Sequence, residues 1–346
     1  MKKLFPLLLV PALLLGACSK KPADNGKIIV AYVIGWDDKM PDPTFMTHIN
    51  YAFGHVTETF DGIKVQNPDK LHKIVALKKE NPKLKVMLSV GGWGSGRFSE
   101  MAADQANRES FAADCKRVID EFGLDGVDLD WEYPTNSSAG ISSSPDDTEN
   151  FTLLMRDIRG QIGKKKLLTL ASDKSAKYID FRAIDPYMDF INIMTYDMGR
   201  SPRHHSAMYR SEMVGRWSCV ESIQAHLDAG IPIGKLVFGM PFYGHGRDRE
   251  PFNIPYYVNY RDIAALKDTC ALIPKWDDVA KSAYMVNAQD SVVFNYEIPE
   301  AIAIKCQYIH DKGMLGAMYW DYSGDDPQGT LRKAVYNGVF PDKEPK

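Results

Sequence analysis

The chain has 346 residues, 45% of them hydrophobic and 25% charged, with a formal net charge of −3 and a pI near 6.3. That composition belongs to a folded globular protein and excludes a disordered or collagen-like chain. The charge balance supplies no electrostatic reason for a nucleic-acid partner, and none is expected.

The first element is an export signal over residues 1–18. Lys2 and Lys3 precede an apolar stretch, 4–15, interrupted by Pro6 and Pro11. At about a dozen residues it is too short to span a bilayer as a helix. Leu15-Gly16-Ala17-Cys18 resembles a bacterial lipobox, which makes Cys18 the expected lipidation site. Residues 19–26 (SKKPADNG) then form a polar tether. The expectation is an exported protein, lipid-anchored to a bacterial membrane on its periplasmic or cell-surface face. Cys115, Cys219, Cys270 and Cys306 are widely and irregularly spaced, with no Cys-x-x-Cys, so free thiols are expected in a domain large enough to need no staples.

Residues 27–346 alternate short apolar runs with longer amphipathic segments. The runs are 28–34, 48–53, 84–90, 123–132, 167–172, 190–196, 236–242 and 314–320. Helical patterns fall at 68–80, 108–121, 147–162, 214–229 and 299–312, and Gly123, Gly163, Gly230 and Gly313 follow as helix C-termini prefer. Strands alternating with helices pair in parallel. Eight such units predict an α/β fold, a (β/α)8 TIM barrel whose functional residues gather at the C-terminal strand ends. The first crossover is short and should be irregular. A small insertion, about 246–297, lies between strands 7 and 8 and carries a Tyr-rich stretch and a possible strand at 291–296.

The most informative run is 125–134, Asp-Gly-Val-Asp-Leu-Asp-Trp-Glu-Tyr-Pro. On a strand, Asp128, Asp130 and Glu132 share one face, while Val127, Leu129 and Trp131 take the other. Burying unpaired carboxylates costs several kcal/mol each on an order-of-magnitude basis, so the trio reads as a catalytic cluster. Around the same mouth the barrel gathers Tyr32 from strand one and Ser89, Gly91, Gly92 and Trp93 from strand three. Met194, Tyr196 and Asp197 come from strand six, and Trp320 from strand eight.

These residues resemble the motifs of glycoside hydrolase family 18, the chitinase family. Its Asp-x-x-Asp-x-Asp-x-Glu signature matches Asp125, Asp128, Asp130 and Glu132. Its Ser-x-Gly-Gly matches Ser89, Gly91 and Gly92, its Met-x-Tyr-Asp matches Met194, Tyr196 and Asp197, and its strand-eight tryptophan matches Trp320. The resemblance implies retaining, substrate-assisted hydrolysis. Glu132 would protonate the leaving oxygen, and the substrate's 2-acetamido carbonyl would attack the anomeric carbon. Asp130 would hold the acetamido N–H, Tyr196 would orient its carbonyl, and Trp320 would floor the sugar. Asp128 and Asp130 are expected to share a proton, with Ser89 and Tyr32 hydrogen-bonding Asp128, and Glu132 should stay protonated to raised pH. Asp125, out of step with the alternation, is expected to be structural.

Asp-Trp-Glu-Tyr-Pro resembles the wording typical of the family's chitinases, which implies β-1,4-linked N-acetylglucosamine polymers or oligomers as the partner, with Trp93, Tyr133 and Tyr243 as further expected sugar contacts. Alternative readings are an endo-β-N-acetylglucosaminidase acting on N-glycan cores, or a non-catalytic lectin-like barrel. The insertion looks too small for a deep substrate tunnel. Where the family usually continues Tyr-Gly-Arg, this chain has Tyr243-Gly244-His245, which alters a polar contact. His204 and His205 read as a surface loop lacking partners at ligand spacing, so no metal and no cofactor are expected. A monomer is expected.

Overall fold

The computed structural model describes residues 26–343. The expected signal, the Cys18 lipidation site and tether residues 19–25 lie outside the described residues. The first strands are β1 (Ile28–Ile34), β2 (His48–Val56), a short β3 (Ile63–Val65) and β4 (Lys85–Gly91). They are followed by β5 (Gly126–Asp130), β6 (Leu167–Ser172), β7 (Phe190–Ile193) and β8 (Leu236–Pro241). Strands β9 (Tyr243–Gly246), β10 (Tyr257–Asn259), β11 (Ile273–Asp277), β12 (Ser282–Val286) and β13 (Val292–Tyr296) precede β14 (Gly316–Trp320). Neighbours β1, β2, β4, β5, β6, β7, β8 and β14 pair in parallel, and β14 returns to β1, closing the eight-stranded barrel.

The barrel closes because its strands can be buried on both faces. β5 and β8 are buried at every position, the signature of parallel strands sandwiched between an inner core and outer helices. Val30, Met87, Phe190, Val237 and Met318 fill part of the interior. Outward-facing Val127, Leu129 and Trp131 join the larger strand–helix layer. Trp131 stacks on Phe98 (centroids 5.3 Å, 14° between planes), as its out-of-phase position requires. Among the outer helices, Asp147–Ile162 buries Phe151, Leu154, Met155, Ile158 and Ile162, one apolar stripe at helical spacing. Helix Gln105–Phe122 stops at Gly123, which takes the left-handed φ of 70°. Helix Cys219–Asp228 starts on a Ser218/Glu221 capping box and so occupies only the later part of the expected 214–229.

Two regions depart from the expected layout. The first crossover contains only the 3-10 turn Pro43–Phe45, irregular as anticipated, but β2 runs on to Val56 and turns back as an antiparallel hairpin with β3. The insertion is more than a rim loop with one strand. It forms a five-stranded antiparallel sheet, β10-β9-β13-β12-β11, with helix Tyr260–Thr269 and its own apolar cluster around Met285 and Phe294. Its strands are only 3–5 residues long, too short to show period-two patterning in the sequence. Among the described residues no helix is long and apolar enough to cross a membrane. Cys115, Cys219, Cys270 and Cys306 are free thiols, the first, second and last buried.

Candidate active site

The acids sit where β5 leaves the barrel. Strand register places Ser89 and Thr169 on either side of Asp128, and Gly91 opposite Asp130. Asp128 is wholly buried and saturated with donors. Its Oδ2 accepts from Tyr32 Oη and Ser89 Oγ, both at 2.8 Å, and its Oδ1 from Thr169 Oγ1 (2.6 Å) and Asn192 Nδ2 (3.3 Å). Tyr32 and Ser89 play the roles expected from sequence; Thr169 and Asn192 complete the set. Burial raises the Asp128 carboxyl above its ordinary range, against the pull of these hydrogen bonds.

Asp130 is held differently. Its Oδ1 is buried without a hydrogen-bond partner, and burial, then the Glu132 charge, then the Asp128 charge push its carboxyl well above the usual range. Asp128 accepts from four other groups, and of the two neighbouring charges that of Glu132 bears on Asp130 more strongly than that of Asp128, the residue expected to share its proton. Glu132 lies just beyond the strand, which ends at Asp130 rather than at 132 as anticipated. Burial pushes its carboxyl up to about 7. Tyr133 opposes that rise, while Asp197 and Asp173 add to it and Lys174 reduces it. A general acid must be protonated to act, so activity should be present below about pH 7 and fall as pH rises through it. A kcat/KM profile with its alkaline limb near 7 is the expected result. A limb near 4.5, where an ordinary glutamate titrates, would remove Glu132 from the role.

Tyr196 faces these acids. β7 stops at Ile193, so Met194, Tyr196 and Asp197 form the loop above it rather than the strand end. The Tyr196 hydroxyl approaches Met318 Sδ at 3.9 Å, a weak acceptor that leaves it able to donate to a ligand. Its pKa is raised well above normal by burial and then by Asp130, which keeps it a donor.

Aromatic walls flank the acids. Trp320 is half-buried, stacks on Phe53 (5.6 Å, 19°) and tilts against Tyr32 (5.7 Å). Trp36 sits in an unpatterned loop and so gives no signal in the sequence; it is 54% exposed and stacks on Phe53 (6.2 Å). Trp93 is 64% exposed and meets Tyr133 edge-on at 6.4 Å, while Tyr133 stacks on Tyr178 at 4.9 Å. Two cavities of about 420 and 400 Å³ share Trp36. One is bounded by Trp320 and Tyr257, the other by Gly91, Gly92 and Trp93. Neither is lined by Glu132; they lie to either side of the Trp36–Phe53–Trp320 ladder. Gly91 has φ 130° and a Cβ there would collide with the Asp130 carbonyl, which also accepts from Gly92 N at 2.8 Å.

Asp197 anchors a second polar group. Tyr243 Oη donates to its Oδ1 at 2.7 Å, and His245 Nε2 and His205 Nδ1 lie 3.1 and 3.7 Å from the same oxygen. Burial alone would raise the Asp197 carboxyl, but the two imidazoles hold it well below the usual carboxylate range. Burial and the neighbouring His245 push His205 down to about 4. The surface-loop reading of His204 and His205 is thereby overturned: both are buried. The insertion folds over them, bringing Asp277 to 3.1 Å from His204 Nε2 and His245 against His205 at 4.4 Å between rings. Residues so distant along the chain give no sequence signal of this meeting.

Asp125 lies away from the chemistry, at the opposite end of β5. It accepts from Val86 N at 2.8 Å and pairs with Lys78 and, at 3.4 Å, Lys85. Asp125→Ala should leave kcat within about twofold while costing roughly 1–3 kcal/mol, the scale of losing a partner to a half-buried donor. Thermal unfolding beside steady-state kinetics checks both, and a large fall in kcat would place Asp125 in the chemistry.

Comparison with known proteins agrees with this geometry. The profile of Glycosyl hydrolases family 18 matches residues 28–325. Chitinase A1 of Niallia circulans is 31% identical over an alignment covering 92% of this chain and 59% of that protein. Probable chitinase 2 of Drosophila melanogaster is 31% identical, covering 89% of this chain and 74% of that one. Among solved structures, a family 18 N-acetylglucosaminidase from Paenibacillus barengoltzii superposes with a TM-score of 0.81 at 33% identity, covering 90% of this chain and 99% of that one.

Proposed function

The chain belongs to family 18 of the glycosyl hydrolases, and on that premise we propose that it hydrolyses β-1,4 linkages between N-acetylglucosamine units of chitin or chitooligosaccharides, with retention and by substrate assistance. The observation that carries this reading is the pairing of Glu132, whose carboxyl burial raises to about 7, with an unpartnered, buried Asp130 Oδ1. A buried acceptor without a donor costs roughly 1–3 kcal/mol. A 2-acetamido N–H supplies that donor, and the carbonyl of the same group receives the Tyr196 hydroxyl.

Each residue then has a task. Glu132 protonates the glycosidic oxygen as the bond breaks. The acetamido carbonyl attacks the anomeric carbon from the opposite face and the positive oxazolinium ring closes. Asp130 holds the N–H and offsets the charge that develops on it. Attack within one bound molecule avoids the entropy of bringing a second reactant in, an advantage of several kcal/mol on the scale of effective molarities. Water then opens the ring from the face the leaving group vacated, with Glu132 as base. Trp320 forms the floor under the sugar, and Trp36, Trp93 and Tyr133 offer faces for its neighbours.

The test is hydrolysis of fluorogenic chitobioside and chitotrioside beside the matching cello-oligosaccharides, which lack the acetamido group. Cleavage of the first pair only is expected, with the β-anomer as first product by NMR. Cleavage of both at similar rates, or an α-anomer, would sink the assignment. Product profiles from chitohexaose and from a high-mannose glycoprotein separate internal cleavage, end release and N-glycan action.

We also propose that the protein is exported and lipid-anchored. Lys2, Lys3, the apolar 4–15 stretch and Cys18 after Leu-Gly-Ala support this. Radiolabelled palmitate should be incorporated in a bacterial host, and Cys18→Ala should abolish labelling; labelling that persists rules Cys18 out.

A further inference from the structure

We propose that Asp197, His205 and His245 form a divalent-cation site of the zinc type beside the catalytic cleft. Asp197 and His205 come from the loop after β7, and His245 comes from β9 at the root of the insertion. One carboxylate oxygen and one nitrogen from each ring lie within 4.8 Å of one another. The two distances from Asp197 Oδ1, 3.1 and 3.7 Å, bracket the separation of roughly 3.3 Å between ligand atoms in a tetrahedron with bonds near 2.0–2.1 Å.

Two further observations point to a ligand. Both nitrogens of His205 and Nδ1 of His245 are buried with no hydrogen-bond partner. A pair of histidines kept only for packing would ordinarily satisfy those atoms, since each unmet one costs roughly 1–3 kcal/mol. A metal held by His205 Nδ1, the unpartnered nitrogen 3.7 Å from Asp197 Oδ1, would satisfy one of those atoms, with His245 Nε2, 3.1 Å from the same oxygen, as its second nitrogen ligand. The second observation is the asymmetry of the site. The imidazoles are 1–2% exposed while the Asp197 side chain is 51% exposed. That leaves an entry path and an open coordination position on the cleft side. Tyr243 Oη, donating to Asp197 Oδ1 at 2.7 Å, orients the carboxylate from outside the ligand set.

The donor set selects the cation. Two imidazoles and one carboxylate suit Zn²⁺ and its neighbours, whereas Mg²⁺ and Ca²⁺ prefer oxygen throughout. A bound ion would tie the β7 loop to the insertion through Asp197 Oδ1, which already accepts from Tyr243 Oη. This donor geometry is the same whichever glycan the barrel cleaves.

The test uses the purified protein, stripped with chelator and titrated with Zn²⁺ against a chromophoric competitor. The expected result is uptake of one ion in the micromolar range or tighter. His205→Asn and His245→Gln should each weaken it by more than about tenfold, as loss of even an outer-shell partner does. His72→Ala, an exposed histidine elsewhere, should not change it. Near-ultraviolet circular dichroism confirms that the variants fold. Should one fail to fold, Co²⁺ added to the native protein gives the second reading, through visible bands of four-coordinate intensity. No uptake below about 100 µM, uptake indifferent to both substitutions, or Co²⁺ bands of a six-coordinate ion would each overturn the proposal.

Discussion

Glu132→Gln is expected to lower turnover of chitotetraose by about 10²–10⁴-fold, the usual contribution of a positioned general acid. Glutamine keeps the shape of the side chain but cannot give up a proton. The loss should be smaller on an aryl chitobioside, because a phenolate-type leaving group departs with less help. The fold should survive, since the substitution removes a carboxyl that burial already strains toward its neutral form. Matched melting temperatures with a collapsed kcat on the natural substrate are the expected pair of readings. Near-native turnover would mean that another group supplies the proton, with Asp130, whose carboxyl is also raised by burial, the neighbouring candidate.

Asp130→Asn is expected to cost about 10²–10³-fold in kcat with little change in KM. Asparagine can still accept the acetamido N–H, so ground-state binding persists. What disappears is the negative charge opposite the developing oxazolinium, and removing one preorganised electrostatic contact of this kind costs about 2.7–4 kcal/mol. The variant has a second signature. Asp130 and Glu132 interact, the Glu132 charge raising the Asp130 carboxyl, so a residue at 130 that does not titrate should shift the alkaline limb of the pH profile. A residue that only supported the fold would leave the limb in place. An unchanged limb together with a raised KM would reassign Asp130 to binding.

Much of this site is legible in the amino-acid sequence alone. Alternation puts Asp128 and Asp130 on one strand face, and Tyr32 on β1 and Ser89 on β4 stand out as hydroxyls on barrel strands. Asp125 is separable because it breaks the two-residue phase. Thr169 and Asn192 give no such signal, because a single threonine or asparagine in an apolar strand is unremarkable. Thr169 becomes visible only when register is known: β4, β5 and β6 place Ser89, Asp128 and Thr169 in one row. Trp36 and the His205–His245 pair are hidden for a different reason. Loops and insertions have no period, so proximity there is decided by tertiary packing. The insertion itself is legible as an interval but not as a sheet, since strands of three to five residues leave no pattern.

At Gly91 the backbone passes so close to the Asp130 carbonyl that even a methyl group cannot enter, and no side chain relieves the clash because the obstacle is main chain. The contact between β4 and β5 is therefore closed to mutational exploration, while Trp36 and Trp93 stand exposed at the rim. Lineages built on this scaffold can change which glycan they grip far more readily than how they cut it. Diversity should accumulate at the rim and stop abruptly at the strand pair beneath.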